Sequence, residues 1–390
     1  MDARHTRLHA TLATSMKILR SAPSSLWGAS VPRARPLHYV LLSVGLACSR
    51  GPLDEEKGSA KVRAPEASCA ADAAQKLPEL PSELHGFCLP PAADVRRFGL
   101  GRGAGLHAVC QELLGDHCES SKTSGLRSVS VAELRDPLNP YRELRATIFE
   151  FDDVRGAFGF VQSRSLGTDG DAPSEATSVE VSGARAYVHH NTLRIWRGRR
   201  ALEVRYIAED QSRGELLARA RLLLPEVAQT AAASLDAEQQ VPYEVRFFEE
   251  DPDVARLGPA RLIPTALGLS QTGAGASADL LDRHGQYRAL LFPRLDEPSA
   301  KDLMRTIQWG LNAPPIGKNT GILRARRLRP EAEPESWYFY RVGRLVLGVG
   351  PLPEGLRKDP SEPAKAVMEA RLARLARRAY AFPPPQALRR

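Results

Sequence analysis

Two pairs of short words, each repeated at nearly the same distance, constrain this chain more than any other feature. Tyr141-Arg142-Glu143-Leu144 opens an apolar run over residues 146–151, and Tyr287-Arg288-Ala289-Leu290 opens another over residues 290–295, 146 positions later. Trp196-Arg197-Gly198-Arg199 separates strand-like runs at 186–195 and 201–207. Arg341-Val342-Gly343-Arg344 separates runs at 337–340 and 345–349, 145 positions later. Glycine supplies the positive φ that a tight hairpin turn needs, so both words predict β-hairpins. A helix pattern follows each apolar run, over 153–161 and over 299–309. In the second, Ser299 fits an N-cap and Leu303, Met304 and Ile307 share one face. Two landmarks with matching offsets predict a duplicated unit.

Other elements fill that frame. Residues 106–114 read as a helix and 126–134 as an alternating strand. Residues 212–235 carry Leu216, Leu217, Ala220, Leu223 and Leu224 at helical spacing, with Pro225 expected to end the run. Residues 311–319 and 328–336 read as proline-containing loops. Strands clustered with helices, without strict βαβ alternation, predict an α+β fold of two similar units, each a mostly antiparallel sheet with packed helices. The expected units are 77–235 and 236–354. A basic C-terminal helix and tail follow over 355–390. There Ser361 fits a cap and Met368, Leu372, Leu375 and Ala379 form an apolar stripe flanked by Arg371, Arg374, Arg377 and Arg378. Such a helix packs on its own body, or lies on an anionic membrane or a partner.

The N-terminal region points to export. Leu37-His38-Tyr39-Val40-Leu41-Leu42-Ser43-Val44-Gly45-Leu46-Ala47 is preceded by Arg33 and Arg35 and followed by Cys48, the pattern of a secretory signal. The run is about half the ~20 residues that span a bilayer. Gly45-Leu46-Ala47-Cys48 resembles a bacterial lipobox, with Gly45 where that family prefers Leu. The resemblance implies lipid attachment at Cys48, and Ser49 behind it implies outer-membrane sorting. Residues 1–30 suit neither a signal nor a fold and read as a misplaced start, with Met16 or Val31 as the alternative. Residues 1–47 are thus a leader and 48–76 a tether rich in Ala, Glu, Lys, Gly and Pro.

Cysteine usage agrees. Beyond Cys48 stand Cys69, Cys88, Cys110 and Cys118, an even set suited to two disulfides in an oxidising compartment. Four cysteines allow three pairings. Cys110 and Cys118 cannot bridge along one continuous helix, which would hold them about 12 Å apart. Gly115 between them can end a helix and turn the chain back.

The chain is 390 residues long and carries a net charge of +8, which favours acidic surfaces. Aromatic residues are 6%, with no basic-aromatic motif of an RNA-binding sheet, so no nucleic-acid partner is expected. Gly99-Leu100-Gly101-Arg102-Gly103-Ala104 has the letters of a dinucleotide loop, but the preceding 94–98 is too polar for the buried strand such a loop follows. His107, Cys110, His117 and Cys118 lack a standard zinc spacing. His189-His190 sits on a strand, which predicts side chains on opposite faces. Gly268-Leu269-Ser270-Gln271-Thr272-Gly273 is one residue too long for a nucleophile elbow, and Gly317-Lys318-Asn319-Thr320 is no P-loop. Asp152-Asp153 and Glu249-Glu250-Asp251 read as solvated loop charge rather than a calcium site. No catalytic set, metal or cofactor is predicted.

Leu77-Pro78-Glu79-Leu80-Pro81, the helix at 106–114, the strand at 126–134, and Phe151-Asp152-Asp153 leading to Ala157-Phe158-Gly159 resemble an uncharacterised bacterial domain-of-unknown-function family of exported proteins. The likeness covers about 77–350. It implies a two-unit α+β fold in the cell envelope and no known activity. Where that family has Asn-Gly in its first helix, this chain has Cys110-Gln111-Glu112. The expectation is an exported envelope lipoprotein, facing the periplasm or in the outer membrane. It would meet the membrane through an N-terminal lipid and bind or assemble with an unknown envelope protein or ligand. The alternative is a periplasmic enzyme with a site between the two units.

Overall fold

The computed structural model describes residues 69, 82–90, 95–99, 105–167, 176–235, 240–316, 321–329, 332–352 and 365–385. Of the leader, the lipobox and the tether, only Cys69 lies among them.

The chain enters through short strands β1 (Glu83–Leu84), β2 (Phe87–Cys88) and β3 (Arg96–Gly99). A helical segment follows: α1 (Leu106–Val109), a π turn (Cys110–Leu114), a 3-10 turn (Gly115–His117) and α2 (Cys118–Thr123). Then come β4 (Leu126–Asp136), β5 (Asn139–Phe151), α3 (Val154–Leu166), β6 (Thr177–Val179), β7 (Arg185–His189), β8 (Thr192–Arg197), β9 (Arg200–Ala208) and α4 (Arg213–Ser234). After α5 (Tyr243–Glu249) come β10 (Ala255–Arg256), β11 (Arg261–Ile263), β12 (Gly275–Asp282), β13 (Gly285–Pro293), α6 (Glu297–Gly310), β14 (Leu323–Arg329), β15 (Ala332–Val342), β16 (Leu345–Gly350) and α7 (Lys365–Ala381).

The strands form two antiparallel sheets, so the fold is α+β. The first runs β1-β2-β4-β5-β9-β8-β7-β6 with β3 also on β4. The second runs β10-β12-β13-β16-β15-β14 with β11 also on β12. Each sheet holds a hairpin, β4–β5 or β12–β13, followed by a helix and then a meander of four strands (β6 to β9) or three (β14 to β16), whose last strand pairs with the second member of the hairpin. Details match too. The β8–β9 turn rests on Gly198 and the β15–β16 turn on Gly343, with φ of 61° and 55°. Phe151 N donates to Arg199 O and Arg294 N to Arg344 O, both at 2.9 Å.

The helices after the two hairpins start alike. Asp153 Oδ1 accepts from Gly156 N and Asp296 Oδ1 from Ser299 N, each at 2.8 Å. Asp296, not Ser299, is therefore the cap of α6. Pro298 lies inside the first turn, where its missing N–H costs nothing, and Ser299 supplies the capped N–H.

Three cores hold the body. Helix α4 covers one face of the first sheet, burying Leu134, Leu144, Ile148, Leu193 and Val204 against Leu223, Leu224 and Val227. Helix α3 covers the opposite face, with Phe149, Phe151 and Trp196. That core continues through Val245, Phe247 and Phe248 of α5 into Ala289, Leu291 and Leu347 of the second sheet and the stripe Met368, Leu372 and Leu375 of α7. The third lies under α6, where Leu303 and Ile307 meet Phe292, Trp337, Phe339 and Val346. Each such side chain contributes at most about 1.5–3 kcal/mol by leaving water.

Several expectations are corrected. Pro225 lies inside α4, which runs on for more than two further turns. Val227, Ala228, Ala231 and Ala232 are buried on the sheet, and that packing outweighs the lost backbone bond. The run at 186–195 is two strands, because His190 takes φ 55° and turns β7 into β8. Residues 332–336 belong to β15 and 328–329 to β14, with a register shift between Arg327 and Arg329. Of the placements open to the C-terminal helix, α7 takes the one on its own body, closing one face of the second sheet. Residues 96–99 do form a strand, but a short antiparallel edge with only Phe98 and Gly99 buried.

Candidate functional site

The first helical segment shows how local sequence sets a crosslink. The helix from Leu106 loosens into a π turn at Cys110, and Gly115 reverses the chain with φ 51°. This brings the Cα atoms of Cys110 and Cys118 to 5.0 Å, joined as a disulfide. A second disulfide joins Cys69 to Cys88, at 5.4 Å. All four sulfurs are thereby taken, which removes the cysteines from any ligand set with His107 and His117. Disulfides of this kind belong to oxidising compartments. Among the described residues no helix is long and apolar enough to cross a membrane, and no three His, Cys, Asp or Glu gather as a metal group.

A cleft of about 1250 Å³ opens between the β6–β7 hairpin and the stretch from α5 to β11. One wall is the chain from Ser178 to Arg185. The other carries Arg246, Glu249, Glu250 and Asp251 at the end of α5, then Val254, Arg256 and Pro259. Trp196 forms part of the floor, its indole N–H donating to Gly198 O at 2.8 Å. The hairpin wall is fixed from behind by Gln229 Nε2, which donates to Glu180 O at 2.6 Å.

The charges inside are mutually engaged. Arg185 pairs with Glu249 across the cleft. Arg246 pairs with Glu250 at 2.8 Å, donates to Gln240 and lies 5.4 Å over the Phe382 ring. Asp251 accepts from Asp253 N at 3.1 Å and faces Arg374 at 4.0 Å. Burial pushes the Glu249 carboxyl above its ordinary range, against the pull of Arg185 and Arg256. The cleft thus presents both signs of charge and a run of backbone to an incoming ligand.

The remaining singled-out residues have structural roles. Asp152 pairs with Arg127 and Asp153 caps α3. Glu249-Glu250-Asp251, read as solvated charge, instead lines the cleft. The rings of His189 and His190 lie 4.0 Å apart, since His190 is a turn residue and the strand alternation does not reach it. Within 268–273, the Thr272 hydroxyl donates to Leu269 O and accepts from Ala266 N, both at 2.8 Å, which fixes the loop. Residues 100–104 and 317–320 lie outside the described residues. Arg371, Arg374 and Arg378 of α7 turn inward, onto Asp282, Tyr287 and Phe247. No local pattern marks Arg185 as a cleft residue, because its partner lies 64 positions away.

No protein-family model and no curated protein matches the chain. Among solved structures, the one titled "Structure of crystal form III of TP0453" is 13% identical, covering 66% of this chain and 90% of that one with a TM-score of 0.20. At that score the likeness carries no argument.

Proposed function

We propose that this is an exported envelope lipoprotein, tethered through Cys48 and residues 49–76, whose body binds a polar ligand in the cleft between β6–β7 and α5–β11. The cleft carries the reading. Its carboxylates at Glu249 and Glu250 are each matched to an arginine, an arrangement suited to recognition by both signs of charge rather than to proton transfer. The two disulfides support the exported location, and the hairpin, helix and meander common to both sheets support descent from one duplicated unit. The test is crosslinking in the host envelope. A photoreactive residue at Ser182, in the cleft wall, is expected to give an adduct that Arg256→Glu diminishes, while the same residue at Lys301 on α6 gives none. A folded, exported protein with no adduct from Ser182 would contradict the reading.

One observation favours a second reading, an envelope enzyme: a carboxyl raised by burial in a cleft, Glu249, has the character of a general acid. Glu249→Gln separates the two. Ligand retained with turnover abolished supports the enzyme.

A further inference from the structure

The face of the first sheet beneath α3 changes character along its strands. One row of cross-strand neighbours, Val129, Phe149, Ala201 and Trp196, is apolar. Two residues further along lie Thr147, Glu203 and Arg194, and two further again Arg145 and Arg205. Arg164, in the last turn of α3, reaches onto the middle row. Its Nη2 donates to Glu203 Oε2 at 3.1 Å, and Arg194 Nε donates to the same oxygen at 2.8 Å. Arg205 Nη2 stands 3.8 Å from Glu203 Oε1.

One carboxylate therefore answers three guanidiniums. Arg164 and Arg194 are only 10% and 11% exposed, and Nε and Nη1 of Arg164 are buried with no hydrogen-bond partner. Unmade bonds at a buried charged group are costly, and so is uncompensated buried charge. Burial already pulls the Arg194 guanidinium below its ordinary range. Arg205 and Arg145 stand directly opposite each other across β9 and β5, a like-charge pairing that destabilises a sheet. Arg145 is neutralised by Glu133 at 3.0 Å and Glu143 at 3.3 Å. Arg205 is half exposed and, beyond Glu203, no carboxylate contacts it among the described residues.

We infer that Arg164, Arg194 and Arg205 form a binding site for a phosphate group beside Glu203. Three positive charges and one negative leave an excess of two, the charge of a phosphate dianion. The guanidinium fork matches phosphate oxygens with paired N–H donors. Arg205 is the outward arm that captures the group, and the buried Arg164, 5.4 Å over the Phe160 ring, and Arg194 supply the excess positive charge behind it. None of these residues lines the cleft, so the site stands apart from the binding reading above.

The test titrates the oxidised full chain with inorganic phosphate, by calorimetry and thermal unfolding, against sodium chloride at equal ionic strength. Saturable binding and a rise in melting temperature beyond that in chloride are expected. Arg205→Gln removes one charged contact and should weaken phosphate binding about tenfold. Glu203→Gln gives the opposite sign: a lower melting temperature in chloride, tighter phosphate binding, and recovery of stability when phosphate is added. A merely structural network does not predict that recovery. Vesicles containing phosphatidic acid, with and without free phosphate, distinguish a lipid headgroup from a soluble phosphate source. Equal responses to phosphate and chloride, or unchanged affinity in Arg205→Gln, overturn the site.

Discussion

Gly350 shows how one residue sets the packing of the second sheet. A Cβ there would fall 2.3 Å from the Trp337 ring, and one on Gly348 would fall 2.8 Å from Phe339. Two bare positions on β16 therefore seat two aromatic rings under α6. Gly350→Ala must displace Trp337 and is expected to cost about 1–3 kcal/mol, read as a lower urea midpoint at unchanged slope. Gly214→Ala, which meets nothing within 4 Å and lies in the first turn of α4, should instead raise the midpoint slightly. Arg371 offers a charged counterpart. Its side chain is 2% exposed, donates to both oxygens of Asp282 at 2.8 and 2.9 Å, and lies 4.1 Å over Tyr287. Arg371→Met strips Asp282 of its partner and should destabilise by about 3 kcal/mol. Burial pushes the Asp282 carboxyl up, but Arg371 outweighs it and holds the carboxyl below its usual range. A depressed carboxyl stabilises the fold above the unfolded value near 3.8 and loses that contribution as the pH falls further. The acid limb of a stability–pH profile should therefore flatten below about pH 4 in Arg371→Met. The apolar stripe Met368, Leu372, Leu375 and Ala379 was legible from spacing alone. The inward turn of Arg371 was not, because Asp282 is 89 positions away and no local pattern marks a partner at that distance.

At the scale of elements, α7 decides whether the second sheet has a covered face. Its stripe meets Ala289, Leu347 and Val349, and Tyr243 OH ties its end to α5 through Phe382 O at 2.9 Å. Removing residues 361–390 should expose that face and leave residues 255–350 open to limited proteolysis. A truncated chain with the parent's solubility and cleavage pattern would refute the layer role. The Cys110–Cys118 disulfide closes a short loop, so replacing both cysteines by Ser should cost about 2–3 kcal/mol, measured by denaturant unfolding. The elements themselves are largely legible in the sequence: both hairpins, the helix after each, the long helix at 212–235 and the C-terminal helix. The misreadings have local causes. Pro225 is tolerated because the apolar face continues past it, and the His190 turn falls in the polar stretch His189-His190-Asn191-Thr192, a turn signal without glycine that the apolar residues on either side outweigh in a strand reading. Asp296 and Ser299 both suit an N-cap by residue type, and only the chain's exit from β13 makes Asp296 the cap.

For the whole molecule, two antiparallel sheets, one of nine strands and one of seven, share a core built from α3, α5 and α7. The α+β class with antiparallel sheets was readable from the clustering of strands with helices, whereas the cleft was not, since its walls come from segments some 65 positions apart with no motif in either. The proposed state of this body is exported, lipid-tethered and disulfide-closed. The direct measurement is the intact mass of the mature protein from its native host, non-reduced and after thiol alkylation. A chain beginning at Cys48 with acyl groups and no alkylated thiol is the predicted result. An unprocessed chain carrying alkylated cysteines at Cys69, Cys88, Cys110 and Cys118 would contradict both the export and the crosslinks.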